Sequence, residues 1–166
     1  MPSSDWSSIV HANVGIVTNS ALRVLGSVQD AEDVTQDVFL EAFRKWDAVD
    51  ENSWTGLLRR MAVCRALDVL RSRKRLTSLE FQPVDSREIS PSDQMVRDER
   101  HDQLRLAVAA LPDRQSEVFC LAFFEQMSHE EIATTLGINR GAVATLLSKA
   151  KARLVEIAQR IPGDTE

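Results

Sequence analysis

Tyrosine is absent from this 166-residue chain, and aromatic residues make up only 5% of it. No Asn-Gly or Asp-Gly pair occurs and alternating apolar segments are few, so the usual materials of β-hairpins are missing. The longest unbroken apolar run, Val118 to Phe124, is far too short for a bilayer. The charge-free stretch Trp6 to Leu22 is interrupted by Ser7, Ser8, His11, Asn13, Thr18, Asn19 and Ser20, so direct membrane insertion is not expected either. The first residues carry Asp5 and no basic flank, which argues against a secretory signal. There are two cysteines, Cys64 and Cys120, in helical, mostly apolar surroundings and without CxxC spacing. Neither a disulfide framework nor a metal site is indicated, and a reducing cytoplasm fits. His11, His101 and His129 are scattered, none at catalytic spacing to a cysteine, and no glycine-rich phosphate loop is present. Nothing therefore points to an enzyme, a cofactor or a small-molecule substrate.

What remains is ordinary globular material, 43% hydrophobic and 27% charged, enough for one domain or two small ones. Period-3.6 patterns dominate and predict an all-α class. Val28, Ala31, Val34, Val38, Ala42 and Trp46 recur at helical spacing, while Asp30, Asp33, Asp37 and Glu41 line another face. The polar segment Asp47 to Gly56 breaks this pattern before a second helical run begins near Leu57 and ends in Arg71-Ser72-Arg73-Lys74-Arg75. A net charge of -5 argues, as an average, against coating nucleic acid by bulk charge. The distribution reverses that impression: Gly26 to Glu51 holds eight acids against two bases, and Gly56 to Arg75 holds seven bases against one acid. Arg65 and Asp68, three apart near the apolar face, are expected to form an internal ion pair.

Residues 76–96 contain Pro83, Pro91 and four serines without sustained periodicity, the composition of a flexible linker between two small helical domains. Each domain would hold about 70 residues, a size at which a core is marginal unless a partner helps. Beyond the linker, Leu104, Val108 and Leu111 mark a helix stopped by Pro112, and Val118, Leu121 and Ala122 mark the next. Ser128-His129-Glu130-Glu131 is a capping box, in which the Ser128 hydroxyl accepts the Glu131 N–H and the Glu131 carboxylate reaches back. His129, in that first turn, is expected at the surface. Ile132, Ala133 and Leu136 then face inward, Gly137 ends the short helix, and Ile138 supplies an apolar plug. Asn139 caps the next helix, where Val143, Leu147, Ala150 and Leu154 repeat at helical spacing. Short helix, glycine turn and longer helix make a helix-turn-helix, with a structural hairpin as the alternative to DNA binding.

These residues resemble bacterial RNA polymerase sigma factors, in particular the compact two-domain extracytoplasmic-function (ECF) group. In the first half the likeness rests on Leu25-Gly26, Ala31-Glu32-Asp33-Val34, Gln36-Asp37-Val38-Phe39, Arg60-Met61-Ala62 and Leu67-Asp68-Val69-Leu70-Arg71. In the second half it rests on Leu111-Pro112-Asp113-Arg114-Gln115, Glu117-Val118-Phe119, Ser128-His129-Glu130-Glu131-Ile132-Ala133 and Leu136-Gly137-Ile138. The resemblance implies a domain over 1–75 for core polymerase binding, minus-ten recognition and melting. It further implies a linker over 76–96 and a helix-turn-helix domain over 97–166 for minus-thirty-five recognition.

By the same resemblance, Asp30, Asp33, Gln36, Asp37 and Glu41 would dock on a basic clamp of core RNA polymerase; otherwise the stripe is a solvated face. The loop Asp47 to Gly56 corresponds to the promoter-melting loop, where an extracted base needs hydrogen bonds and a stacking surface. Asn52, Ser53 and Trp54 offer these, with a core plug as the other role for Trp54, while Asp47, Asp50 and Glu51 would have to point away from the strand. Arg59, Arg60, Arg71, Arg73, Lys74 and Arg75 would lie along phosphates. Leu57 and Cys64 stand where the family usually has tryptophan and asparagine. In the recognition helix, Ala144 and Leu146 replace the usual lysine and arginine of a Gly-Thr-Val-Lys-Ser-Arg-Leu run. Arg140, Thr145, Ser148, Lys149, Lys151 and Arg153 remain for promoter DNA, and Ala144 or Leu146 would meet thymine methyls, giving altered, T-rich minus-thirty-five recognition. The acidic linker either mimics an RNA path or is a solvated tether. An anti-sigma factor that clamps the two domains is a further implied partner. The competing function is a stand-alone helix-turn-helix regulator that binds a palindrome as a dimer and needs no polymerase, which would leave the charged helices of the first domain without a shared purpose.

Overall fold

The computed structural model describes residues 5–45, 54–79 and 93–160, with the backbone alone for 74–79 and 93–98. Among the described residues there are seven helices and no strand: α1 (Trp6–Leu25), α2 (Val28–Arg44), α3 (Trp54–Leu79), α4 (Asp93–Ala109), α5 (Asp113–Phe123), α6 (His129–Leu136) and α7 (Arg140–Arg160). The all-α expectation holds, with two small helical units of which the second contains the helix-turn-helix.

The first unit is built by α1, α2 and α3. The Asp5 side chain accepts the Ser7 N–H to start α1, and Gly26 at φ 71 ends it with its N–H on the Leu22 carbonyl, 2.7 Å away. Only two residues separate α1 from α2, because Ser27 then caps α2 through the Asp30 N–H. Gly26 is doubly constrained: a side chain there would be left-handed and would also meet the Arg105 guanidinium, 2.6 Å from the Cβ position. Val17, Ala21 and Val24 of α1 interlock with Ala31, Val34 and Val38 of α2 and with Leu58, Ala62 and Leu67 of α3. Buried Asn13 ties α1 to the start of α3, donating to the Ile9 carbonyl and accepting from Thr55.

Several boundaries differ from the sequence expectation. Val28 is 61% exposed, because as the first residue of α2 it precedes the turns that face the core. Trp46 lies outside the described residues. Helix α3 starts at Trp54, taking in Gly56, and runs on to Leu79; α4 begins at Asp93. Helix thus covers both ends of the expected 76–96 linker, since the run from Arg71 to Leu79 contains good helix formers and no proline or glycine. The long helix α1 lies in the stretch that the sequence marked only by its lack of charge; its Asp5 and Gly26 caps were the available signal.

The second unit packs Val108, Leu111, Val118, Leu121, Ile132, Leu136, Val143, Leu147 and Ala150. Gln126, left-handed at φ 53, turns the chain after α5, and the Met127 N–H closes the turn on the Leu121 carbonyl. Three capping contacts form: Ser128 accepts the Glu131 N–H at 3.1 Å, Gly137 adopts φ 67, and Asn139 accepts the Ala142 N–H at 2.7 Å, but the Glu131 carboxylate does not return the bond to Ser128, so the box is half closed. Ile138 is half-buried against the core and closes back on the Ala133 carbonyl. The two units are not separate cores. Their buried residues form one cluster, joined where α3 packs on α5, which offsets the small size of each unit.

Candidate polymerase and nucleic-acid interfaces

On α2 the acidic residues share a ridge as their spacing requires, but most are already engaged. Asp30 pairs with Arg73 of α3, and this hydrogen bond, with that from Ser27, holds its carboxyl below the usual carboxylate range. Asp37 lies 3.6 Å from Arg65, and Glu41 lies 3.1 Å from Lys45 one turn away. Asp33 and Gln36 are exposed. The acidic and basic segments of the sequence are therefore neighbours that partly neutralise one another. Beside the ridge Leu40 is 62% exposed and Phe43 also reaches solvent, an apolar edge that the stripe of acids did not reveal. The signal was there: Leu40 falls outside the inward stripe of Ala31, Val34, Val38 and Ala42. A groove of about 520 Å³ runs between Leu40, Glu41, Lys45 and Arg65.

The expected Arg65–Asp68 pair is not formed. Arg65 reaches across to Asp37, and Asp68 meets Arg71 at 3.6 Å, because a three-residue spacing on α3 left each nearer to a different partner. Of the two roles expected for Trp54, the structure shows the core plug. Trp54 is 3% exposed and sits edge-on to Trp6, ring centroids 5.8 Å apart, in a cluster with Phe39 and Phe43. Its indole opens α3 as a core plug, so it offers no face to an extracted base. Asn52 and Ser53 lie outside the described residues, as do the side chains of Lys74 and Arg75.

The remaining basic residues of α3 turn toward the second unit. Arg60 donates to Glu117 at 2.6 Å. Arg71 donates to the Ser116 hydroxyl at 2.5 Å and to the Ala109 carbonyl, and lies 3.3 Å from Asp113. Arg59 faces Glu125 at 3.8 Å, with its Nε making no hydrogen bond. Burial works against the Arg60 charge, yet the Glu117 hydrogen bond and charge more than offset it and raise its pKa. Nothing in the sequence singles out Ser116, Glu117 or Glu125 for this role, since their partners lie far away along the chain.

In α7 the residues Arg140, Ala144, Thr145, Ser148, Lys149 and Arg153 are exposed, and the spacings 140–144–148 and 145–149–153 make two adjoining ridges. Thr145 donates to the Gly141 carbonyl. Leu146 is placed otherwise than expected, and exposed Lys151 carries an additional contact. Leu146 is half-buried against the core, because it lies one residue from buried Leu147 on the inward arc of the helix. Lys151 sits over the Phe123 ring, 5.1 Å from its centroid, a cation–π contact that turns it toward α5.

Cys64 is mostly buried and Cys120 wholly so. Burial pushes the Cys64 thiol up to about 12, with the Glu117 carboxylate adding to the shift, and burial likewise raises Cys120. Because the reactive form is the thiolate, both thiols are expected to resist an aromatic disulfide reagent at pH 8 and to react fully in denaturant. Each folded-state pKa is raised, so this contribution to stability is complete below the thiol's ordinary 9.0 and is lost as pH rises above it. Melting temperatures measured from pH 8 to 11 should fall in wild type and fall less in a Cys64→Ala, Cys120→Ala chain; equal slopes would contradict this. Among the described residues no group of three or more His, Cys, Asp or Glu is placed to hold a metal, and no helix is long and apolar enough to cross a membrane.

A capped helix-turn-helix with polar ridges on its second helix, joined to a helical unit bearing an acidic ridge, defines a helix-turn-helix DNA-binding class of protein. Family comparison narrows this. Residues 9–76 match the Sigma-70 region 2 model and residues 101–154 match the Sigma-70, region 4 model, together most of the chain. An RNA polymerase sigma-E factor of Streptomyces antibioticus is 32% identical over 133 residues, covering 76% of this chain and 69% of the relative. The ECF RNA polymerase sigma factor SigE of Mycolicibacterium smegmatis is 29% identical over 170 residues; this match takes in 99% of the chain but spans 65% of that relative's length. Among solved structures, the sigma factor RpoE of Bartonella quintana, in complex with the anti-sigma factor NepR, has the same fold at a TM-score of 0.55 and 21% identity, covering 94% of this chain and 98% of that one. The chain belongs to the ECF group of RNA polymerase sigma factors, initiation factors that direct RNA polymerase to promoters.

Proposed function

We propose that this chain acts in the cytoplasm as a non-catalytic specificity subunit, with residues 1–75 binding core polymerase and the minus-ten element and residues 97–166 reading the minus-thirty-five element. The observation that carries this division of labour is the pairing, in one chain, of an acidic helix ridge with an exposed apolar edge and a helix-turn-helix with two exposed ridges. On α2, Asp33, Gln36 and Leu40 are the exposed centre of the polymerase surface, with Asp30, Asp37 and Glu41 flanking it. On α7, Lys149 and Arg153 meet phosphate, and Arg140, Thr145 and Ser148 face the groove. With Leu146 turned into the core, contact with a thymine methyl falls to Ala144 alone, and the T-rich preference is correspondingly modest. An anti-sigma partner that clamps both units belongs to the same reading; the solved neighbour from Bartonella quintana is itself in complex with an anti-sigma factor.

The test uses the purified full-length chain and purified core polymerase. Co-elution at low ionic strength and run-off transcription from linear promoter fragments are the expected results. Absence of any association would overturn the proposal, and binding of a palindromic duplex without polymerase would favour the stand-alone regulator.

A further inference from the structure

The large apolar side chains of α5 are buried except in its last turn, where Phe123 is 47% exposed. Its ring is nevertheless anchored. It stacks on buried Phe119 one turn earlier, ring centroids 4.6 Å apart, and Phe119 in turn meets Phe124 edge-on at 6.2 Å. Lys151 of α7 lies over the Phe123 ring, 5.1 Å from its centroid, and has no carboxylate partner among the described residues. That sets it apart from Arg60 and Arg71 of α3, whose donors go to Glu117, Ser116 and a backbone carbonyl.

The register of α7 gives this lysine a use. It follows Arg140, Ala144 and Ser148 by eleven, seven and three residues, close to whole helical turns, so it continues the first exposed ridge. Eleven residues at about 1.5 Å each place it roughly 16 Å from Arg140 along the axis, more than the ~12 Å width of a major groove. With Arg140 at the base edges, Lys151 reaches the phosphate wall.

We propose that Phe123 is a positioning residue for DNA binding, holding Lys151 at the end of this ridge so that its ammonium meets a backbone phosphate at the edge of the minus-thirty-five element. The inference rests on the assignment of α7 to that element. A ring face suits the task better than a carboxylate. It attracts the cation through its quadrupole and takes no N–H, so all three donors of the ammonium stay available to phosphate oxygens. A carboxylate would have to be displaced first. The ring also narrows the rotamers of a flexible four-carbon side chain, so part of the ordering cost is met before the strand arrives. Phe123 acts only through Lys151.

The experiment uses the chain assembled with core polymerase, on a fluorescent linear promoter fragment. Phe123→Leu, which keeps apolar bulk and removes the ring, should weaken binding about threefold, the worth of an exposed cation–π contact. Lys151→Met should weaken it by a larger factor and lower the slope of log affinity against log salt by about 0.9, the share of one phosphate. The double variant carries the decision: Phe123→Leu should add nothing once Lys151 is replaced by methionine. Phe123→Trp, with a stronger ring face, should tighten binding about twofold while Lys151 is present. Equal losses from Phe123→Leu with and without Lys151 would overturn the positioning role, as would a wild-type salt slope in Lys151→Met. If circular dichroism shows Phe123→Leu unfolded, Phe123→Trp decides: a gain that needs Lys151 supports the role, and the same affinity change in both backgrounds overturns it. Run-off by wild type alongside additive losses sinks this inference alone, whereas a wild type that ignores core polymerase sinks the proposed function beneath it.

Discussion

Trp54→Ala is expected to destabilise the protein by about 3–5 kcal/mol, the usual cost of truncating a buried tryptophan. The indole is in contact with Trp6 and plugs the start of α3 above Leu58, so its removal opens a cavity between α1, α2 and α3. Total stabilities are of order 5–15 kcal/mol, so this loss is a large share of the whole. The first unit should lose cooperative unfolding at growth temperature, with helicity falling in circular dichroism. Trp54→Phe should retain most of the stability by keeping an aromatic partner for Trp6. A base-stacking residue behaves differently: alanine would leave the melting temperature unchanged and abolish promoter opening alone. That outcome would restore the tryptophan to the DNA interface and remove it from the core.

Asp33→Arg carries the second large effect, on binding instead of stability. Asp33 is exposed on the α2 ridge, between Asp30 and Asp37, which are bonded to Arg73 and Arg65. Reversing a charge at an exposed helical site changes folding by only about 0.5 kcal/mol. Facing a basic clamp, the same reversal adds repulsion where attraction was, at a cost of about 2 kcal/mol or more in binding. Affinity for core polymerase, measured by competition with a labelled sigma factor, should fall roughly 30-fold while the melting temperature stays put. Unchanged affinity would place the polymerase contact elsewhere, with the apolar edge at Leu40 the first alternative.

Local chemistry explains which features were legible before any coordinates. Ser128, Gly137 and Asn139 act on backbone groups within three or four residues, so their pattern in the chain is nearly their structure. The same holds for the inward stripes Val34–Val38 and Val143–Leu147–Ala150, where one periodicity and one apolar face suffice. The helix-turn-helix and the acidic ridge followed from such short-range rules. Leu146 escaped them because a helix drifts relative to its neighbours, and one residue's rotation separates a groove-facing side chain from a half-buried one.

Charge partners are a different matter. A carboxylate's pull extends over several ångströms in every direction, and the chain's path decides which base arrives. Arg65 bypassed Asp68 for Asp37, and Arg71 took Asp68, Asp113 and Ser116 together. Arg60, counted from its sequence as one of a phosphate-facing row, instead meets a glutamate 57 residues away. Short-range periodicity determines which helices form and which faces are apolar, and it does so from the amino acids alone. The destination of each arginine depends on how α3 crosses α5 and α1, a choice made by side-chain packing over the whole chain and encoded in no single segment.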